Sequence, residues 1–208
     1  MTANTDLTLA TLQRAMSGGA AAFRSRTRLQ PLGGAGDKVF PPTFGDTVKV
    51  KLPDAPEHST KYAAEFRRIE GRDVLCVLLD SVASQANRME EALQEAWDTG
   101  LLSFPLVRVD FTDATHADPT LDLSTLGGDG YLTALEAPHR LADALLRDST
   151  LGGVRFRASD AGRALTEAGP KNASALYGLC PTALVFGMWD STGPKGGLGA
   201  KFQRAIVS

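Results

Sequence analysis

Three groups of residues in this sequence have types and spacings that could do chemistry, and in each the chemistry is the holding of an anion. The first is Ser84, Gln85, Asn87 and Arg88, a hydroxyl, two amides and a guanidinium in the opening turns of an expected helix. Backbone N–H groups and the dipole at a helix start already favour negative charge. The second is Arg24, Arg26 and Arg28, whose period of two would put all three guanidinium groups on one face of a strand. The third is a set of cations in or beside glycine-rich stretches: Lys38 in QPLGGAGDKVFPPT (30–43), then Lys195, Lys201 and Arg204 in and after GPKGGLG (193–199). Cations, amides, hydroxyls and open glycine backbone are an inventory for gripping a phosphate chain without reading base edges. Each group has a plainer competitor. The amides could satisfy buried backbone groups, and the arginines could mark an edge strand whose charge resists aggregation.

Other chemistries are set aside on the residues present. His58, His116 and His139 have no cysteine or carboxylate at ligand spacing, so no metal site is expected. No G-x-S-x-G elbow accompanies the serines. The glycine-rich stretches match neither GxGxxG nor a P-loop, because Lys201 is followed by Phe202 rather than by Ser or Thr. Asp80 and Asp190 each follow an apolar run and could form a carboxylate pair, but helix capping explains each more simply. No catalytic residue and no cofactor are therefore expected. Cys76 and Cys180 sit in apolar runs and read as buried free thiols, which fits a reducing, cytoplasmic setting.

The chain of 208 residues is long enough for one sizeable core or two small domains. Its net charge of −2 hides a segregation along the sequence. Residues 14–51 carry seven basic groups against Asp37 and Asp46, residues 53–136 carry sixteen acids against six bases, and residues 190–208 carry three bases against Asp190. A local basic surface is compatible with the acidic total. No apolar stretch approaches a membrane helix in length, and the N-terminus has no basic start followed by an apolar core, so no membrane anchor or secretory signal is expected.

The elements that must position these groups centre on residues 78–97. An apolar run, 74–79, reads as a buried strand feeding a helix capped by Asp80 or Ser81, with Val82, Ala86, Met89, Leu93 and Ala96 on its core face and Gly100 at its end. Before it, a short helix over 7–15 capped by Thr5 or Asp6, a strand over 21–29 and a strand at 48–52 are expected, with 53–61 a polar linker. After it come a strand at 105–111, a mobile acidic insertion over 112–132, and a helix opening at 135–140 with Pro138 at its first position. Arg140, Asp143 and Arg147 are spaced for mutual pairing on that helix. A strand-like piece at 154–157, a helix over 160–168 capped by Ser159, a helix at 172–177, an apolar strand at 181–189 and a basic helical start at 201–204 complete the reading.

Four of these stretches together resemble a known family. PLGGAGDKVFPPTF (31–44), LLDSVASQANRMEEAL (78–93), LEAPHRLADALLRDS (135–149), and LVFGMWDS with GGLGAKFQRAIVS (184–191 and 196–208) are similar, in the same order, to the backbone subunit of type I-G (formerly I-U) CRISPR Cascade complexes, a member of the RAMP superfamily. The resemblance implies an α+β fold with a ferredoxin-like, RRM-related core and inserted subdomains described as palm and thumb. It implies a single RNA-binding domain over 1–208 and, since family members run on further, a chain lacking the family's C-terminal part. It implies a non-catalytic subunit that polymerises with other copies of itself along a CRISPR RNA, alongside other Cascade subunits, and presents the guide for pairing with target DNA. On that reading Ser84, Gln85, Asn87 and Arg88 contact guide phosphates, Arg24, Arg26 and Arg28 flank them, and Lys38, Lys195, Lys201 and Arg204 close over the backbone. Related type III backbone subunits cleave target RNA with a loop aspartate. The acidic residues of 112–130 therefore make a metal-dependent endoribonuclease the alternative.

Overall fold

The computed structural model describes residues 7–51, 56–112, 120 and 130–208. The chain divides into two compact units, Met1–Pro41 and Pro42–Ser208. In the first, helix α1 (Leu9–Ser17) is capped by the Thr8 hydroxyl, which accepts from the Thr11 N–H at 3.2 Å. The expected caps Thr5 and Asp6 lie outside the described residues. From 20 to 42 the chain forms no regular element. The strand expected over 21–29 is therefore corrected. No neighbouring segment supplies it with a ladder among the described residues, and without one alternating side chains do not make a strand.

The second unit opens with two hairpins. β1 (Thr43–Val50) pairs with β2 (His58–Tyr62), antiparallel, with a register shift between Thr43 and Val48. A strand thus occupies the end of what read as a polar linker. β3 (Ala64–Ile69) pairs with β4 (Arg72–Val77) through a two-residue turn in which Glu70 and Gly71 both have positive φ, at 49° and 79°. That geometry matches the right-handed twist of the flanking strands. None of these strand residues is fully buried.

The chain then enters α2 (Val82–Asp98), whose N-cap is Ser81. Thr99 closes the helix, and Gly100, at φ 72°, turns the chain away. The expected apolar stripe is displaced: the residues that α2 buries fully are Ala86, Glu90 and Gln94, while Val82 remains 38% exposed. The expected strand at 105–111 narrows to β5 (Arg108–Asp110), paired with β6 (Tyr131–Thr133). Most of the expected insertion over 112–132 lies outside the described residues.

The helix expected from 135 is corrected to two short pieces. A 3-10 turn, Arg140–Ala142, is followed by one helical turn, α3 (Ala144–Arg147), because Arg140 takes a positive φ of 53° and Asp143 is extended. Hairpin β7 (Thr150–Leu151) and β8 (Val154–Arg155) follows, then α4 (Asp160–Glu167), capped by Ser159 as expected. A Cβ on Gly162 would collide with the Phe156 carbonyl, so only glycine lets α4 start this close to the preceding turn. α5 (Ser174–Leu179) and α6 (Thr182–Phe186) come next. The apolar run 181–189 is thus mostly helix, with only β9 (Met188–Trp189) extended. β9 pairs with β10 (Lys201–Phe202), a strand where a helical start was expected.

The result is an α+β fold, as the resemblance implied. Its strands pair only two by two, and no four-stranded sheet joins them among the described residues. The core gathers Leu141, Leu146, Phe156, Leu165, Leu176 and Met188, with smaller residues between, and Leu106, Val109 and Phe202 packed against it. The described members of this cluster all come from residues C-terminal of α2. No helix among the described residues is long and apolar enough to cross a membrane.

Candidate functional site

The start of α2 does hold an anion, but the anion is the chain's own. Asp80, one residue before the cap, sends Oδ1 to the Ser81 N–H (2.9 Å), while its Oδ2 accepts from Gln85 Nε2 (2.5 Å) and Arg88 Nε (3.1 Å). Hydrogen bonds from the Ser84 side chain first, then from Gln85 and Arg88, hold the Asp80 carboxyl at about 2, below its ordinary 3.8. Ser84, Gln85 and Arg88 are thus brought together around a carboxylate. Arg88 is 67% exposed, so most of its guanidinium still faces solvent. Gln85 is also touched by the end of the chain, accepting at Oε1 from the Ser208 hydroxyl at 3.3 Å.

Asn87 turns to a different wall. It is exposed and lines a cleft of about 450 Å³ together with Glu90, Glu91, Arg140 and Arg204. Arg204 reaches that cleft because the last residues pass close to Gly187, and Val185 accepts from the Ala205 N–H at 2.8 Å. Asn87 and Arg204 are therefore the two candidates that share a cleft. Its floor is an ion pair: Arg140 Nε donates to Glu90 Oε1 (2.6 Å) and Nη2 to Oε2 (2.8 Å). Only 4% of Glu90 and 17% of Arg140 remain exposed. Two-point geometry of this kind is the strong form of a charged hydrogen bond.

The expected pairing among Arg140, Asp143 and Arg147 does not occur. Arg140 binds Glu90, Asp143 caps α3 through the Leu145 N–H (3.0 Å), and Arg147 binds Asp148 and Thr192. Broken helical geometry at Arg140 and Asp143 removes the shared face that pairing needs. Asp190 likewise caps no helix. It is buried and gripped at both oxygens by Arg157, at 2.5 and 2.6 Å. The glycine-rich loop wraps it: a Cβ on Gly193 would meet the Asp190 carboxylate, and one on Gly199 its carbonyl.

The remaining candidates are dispersed. Lys195 is exposed in that loop. Lys201 lies opposite Trp189 across the β9–β10 ladder, with Nζ 4.9 Å from the ring centroid, a cation–π contact. Arg24, Arg26, Arg28 and Lys38 are exposed in the first unit. Reading the sequence alone missed Glu90, Gln94, Thr133, Arg140, Arg157 and Asp190 as a buried polar set. One signal was available: Glu90 and Gln94 follow Ala86 at steps of four, inside the face that should be apolar. Gln94 accepts from the Thr133 hydroxyl at 2.6 Å and donates to Asp98.

Residues 23–208 match the sequence model of a CRISPR-associated family. That family is described as CRISPR-associated protein GSU0053, and the chain belongs to it. No curated protein and no solved structure matches the chain.

Two outcomes follow from the buried and half-buried carboxylates. Glu90→Leu or Arg140→Met alone should each cost about 3–5 kcal/mol in urea denaturation, and the double variant much less, because the penalty lies in stranding one buried charge. For Asp80, the folded value of about 2 lies below the unfolded one. Its contribution is present above about pH 4 and is lost as pH falls through about 2. Asp80→Asn should therefore be less stable than wild type at neutral pH, with the difference closing between pH 4 and 2.

Proposed function

We propose that the chain is a non-catalytic RNA-binding backbone subunit of a type I CRISPR interference complex. Copies of it assemble along the guide, with other Cascade subunits, hold the guide's phosphate chain and leave its bases to pair with target DNA. Sequence is then read by base pairing, so the protein needs cations and donors rather than base-edge contacts. Membership of a CRISPR-associated family supports this reading.

The observation that carries it is the charge of the irregular first unit. Its described residues hold Arg14, Arg24, Arg26, Arg28 and Lys38 against a single acid, Asp37, whose carboxylate accepts from the Lys38 N–H at 2.8 Å. The three arginines of 24–28 are exposed on a segment with no regular structure. Such a segment can follow a phosphate chain residue by residue, which a rigid strand face could do only over its own length. Asn87 and Arg204 at the cleft, Lys195 in its loop and Lys201 on Trp189 supply further donors on the second unit.

Replacing Arg24, Arg26 and Arg28 together by Ala should weaken binding of single-stranded RNA uniformly across guide sequences. It should also reduce the slope of log affinity against log salt by about 2, at roughly 0.7 per lost phosphate contact. An unchanged slope removes these residues from the interface. Incubating the assembled complex with complementary RNA and magnesium should leave that RNA whole, whereas regularly spaced cuts would replace the non-catalytic reading with a metal-dependent endoribonuclease.

A further inference from the structure

One charged concavity shares no lining residue with the cleft of Asn87 and Arg204. The hairpin β7–β8 folds back through Gly152 and Gly153, at φ 59° and 78°, and Ser149 accepts from the Phe156 N–H at 2.8 Å. This brings Arg155 and Arg157 beside Arg147 and Asp148, and the four line a concavity of about 400 Å³. Arg157 forms its inner wall, its charge met by the buried Asp190. Arg147 presents a fork: Nε and Nη2 grip Asp148 at 2.9 and 2.7 Å, while Nη1 donates to Thr192 at 2.7 Å. Arg155 is exposed, and its guanidinium has no hydrogen-bond partner among the described residues.

Asp148 is a poor permanent partner for that fork. It is the next residue along the chain, and its side chain is 67% exposed, so rotation into water costs it little. Its carboxyl is held below the ordinary range by the Arg147 hydrogen bonds first, then by the charges of Arg147, Arg157 and Arg155. The carboxylate sits where three guanidinium groups converge, and a phosphodiester brings the same single charge and a matching pair of free oxygens to that fork.

We propose that the Arg147–Arg155–Arg157 concavity is a phosphate site, filled by one backbone phosphate of single-stranded RNA that displaces Asp148 from the Arg147 fork. The phosphate takes Arg147 Nε and Nη2, and Arg155 closes over it. This rests on the RNA-binding reading and adds a contact point remote in sequence from those named for it.

The test uses the full chain, with Arg155→Ala and Asp148→Asn, both exposed positions, measured against single-stranded RNA between 50 and 200 mM salt. Arg155→Ala should lower the salt slope by about 0.7, so that it loses roughly threefold less affinity than wild type across that range. Asp148→Asn should instead bind tighter, since its carboxylate no longer competes; a purely structural role for the cluster would not produce that gain. If neither variant moves affinity or slope while the Arg24, Arg26 and Arg28 variant does, the site is overturned and the RNA-binding reading stands. Pyrophosphate is the second probe, read by the arginine Nε–H signals of Arg147 and Arg155. If wild type binds no RNA but pyrophosphate shifts these signals, and Arg155→Ala abolishes the shift, the concavity binds phosphate but its RNA occupant is overturned together with the RNA-binding reading. No response to either probe overturns both.

Discussion

The pair Glu90–Arg140 is the constraint on which the rest of the second unit depends. It joins α2 to the segment that follows β6, and Arg140 also points Nη1 at the Gly187 carbonyl (3.5 Å) and stands 5.8 Å from the Phe186 ring centroid. Three stretches far apart in sequence therefore meet at one guanidinium. Burying two charges costs several kcal/mol per ion, which only two-point geometry and further hydrogen bonds offset. The requirement reaches into the backbone. Arg140 sits in the left-handed region at φ 53°, a conformation costing of order 1–3 kcal/mol for a residue with a side chain. A helix running straight through 135–147 is incompatible with that backbone. The cleft shared by Asn87 and Arg204 exists because its floor is this pair.

The same principle recurs around the unit. Asp80 takes the amide and guanidinium donors at the start of α2, Asp190 takes Arg157, and Asp148 takes the Arg147 fork. Each carboxylate occupies donors that the residue types alone would assign to an external anion. Burial separates the cases: Asp190 and Glu90 are sealed and belong to the fold, whereas Asp148 is two-thirds exposed and can yield. Donors left over for a polyanion are those that no carboxylate hydrogen-bonds among the described residues. In the second unit these include Asn87, Lys195, Arg204 and Arg155.

How much of this was legible follows the range of the interactions. Capping depends on residues within one turn, so Ser81 and Ser159 could be read directly and both helices start where expected. The hairpins were readable only in part, because the pairing of 43–50 with 58–62 depends on a partner rather than on either segment's own pattern. The apolar run 181–189 has no decisive periodicity, and its helical first part is settled by packing of Ala183 and Phe186 into the core. Arg140 and Glu90 are separated by 50 residues, and nothing local to either announces the other. A charged residue inside an apolar stripe was the one available sign, and it is weak.

Each of the two glycine-rich stretches mixes glycines packed against a carboxylate of the chain with glycines that stand open. At Gly193 and Gly199 the space of a side chain is already filled by Asp190, so those glycines serve the chain's own packing. At Gly33 a side chain would likewise meet the Asp37 carboxylate, whereas at Gly34 and Gly36, as at Gly196 and Gly197, it would meet nothing within 4 Å; the positive φ values of 101° and 90° at Gly34 and Gly36 set the turns there. Composition could not show which of these glycines close around a carboxylate of the chain and which stay open. Gly34 and Gly36 lie beside Lys38, ten residues beyond Arg28, in the unit with the excess of positive charge. The proposed polyanion contact therefore rests on the exposed arginines of the segment with the least regular structure rather than on the helix start, whose donors Asp80 already takes.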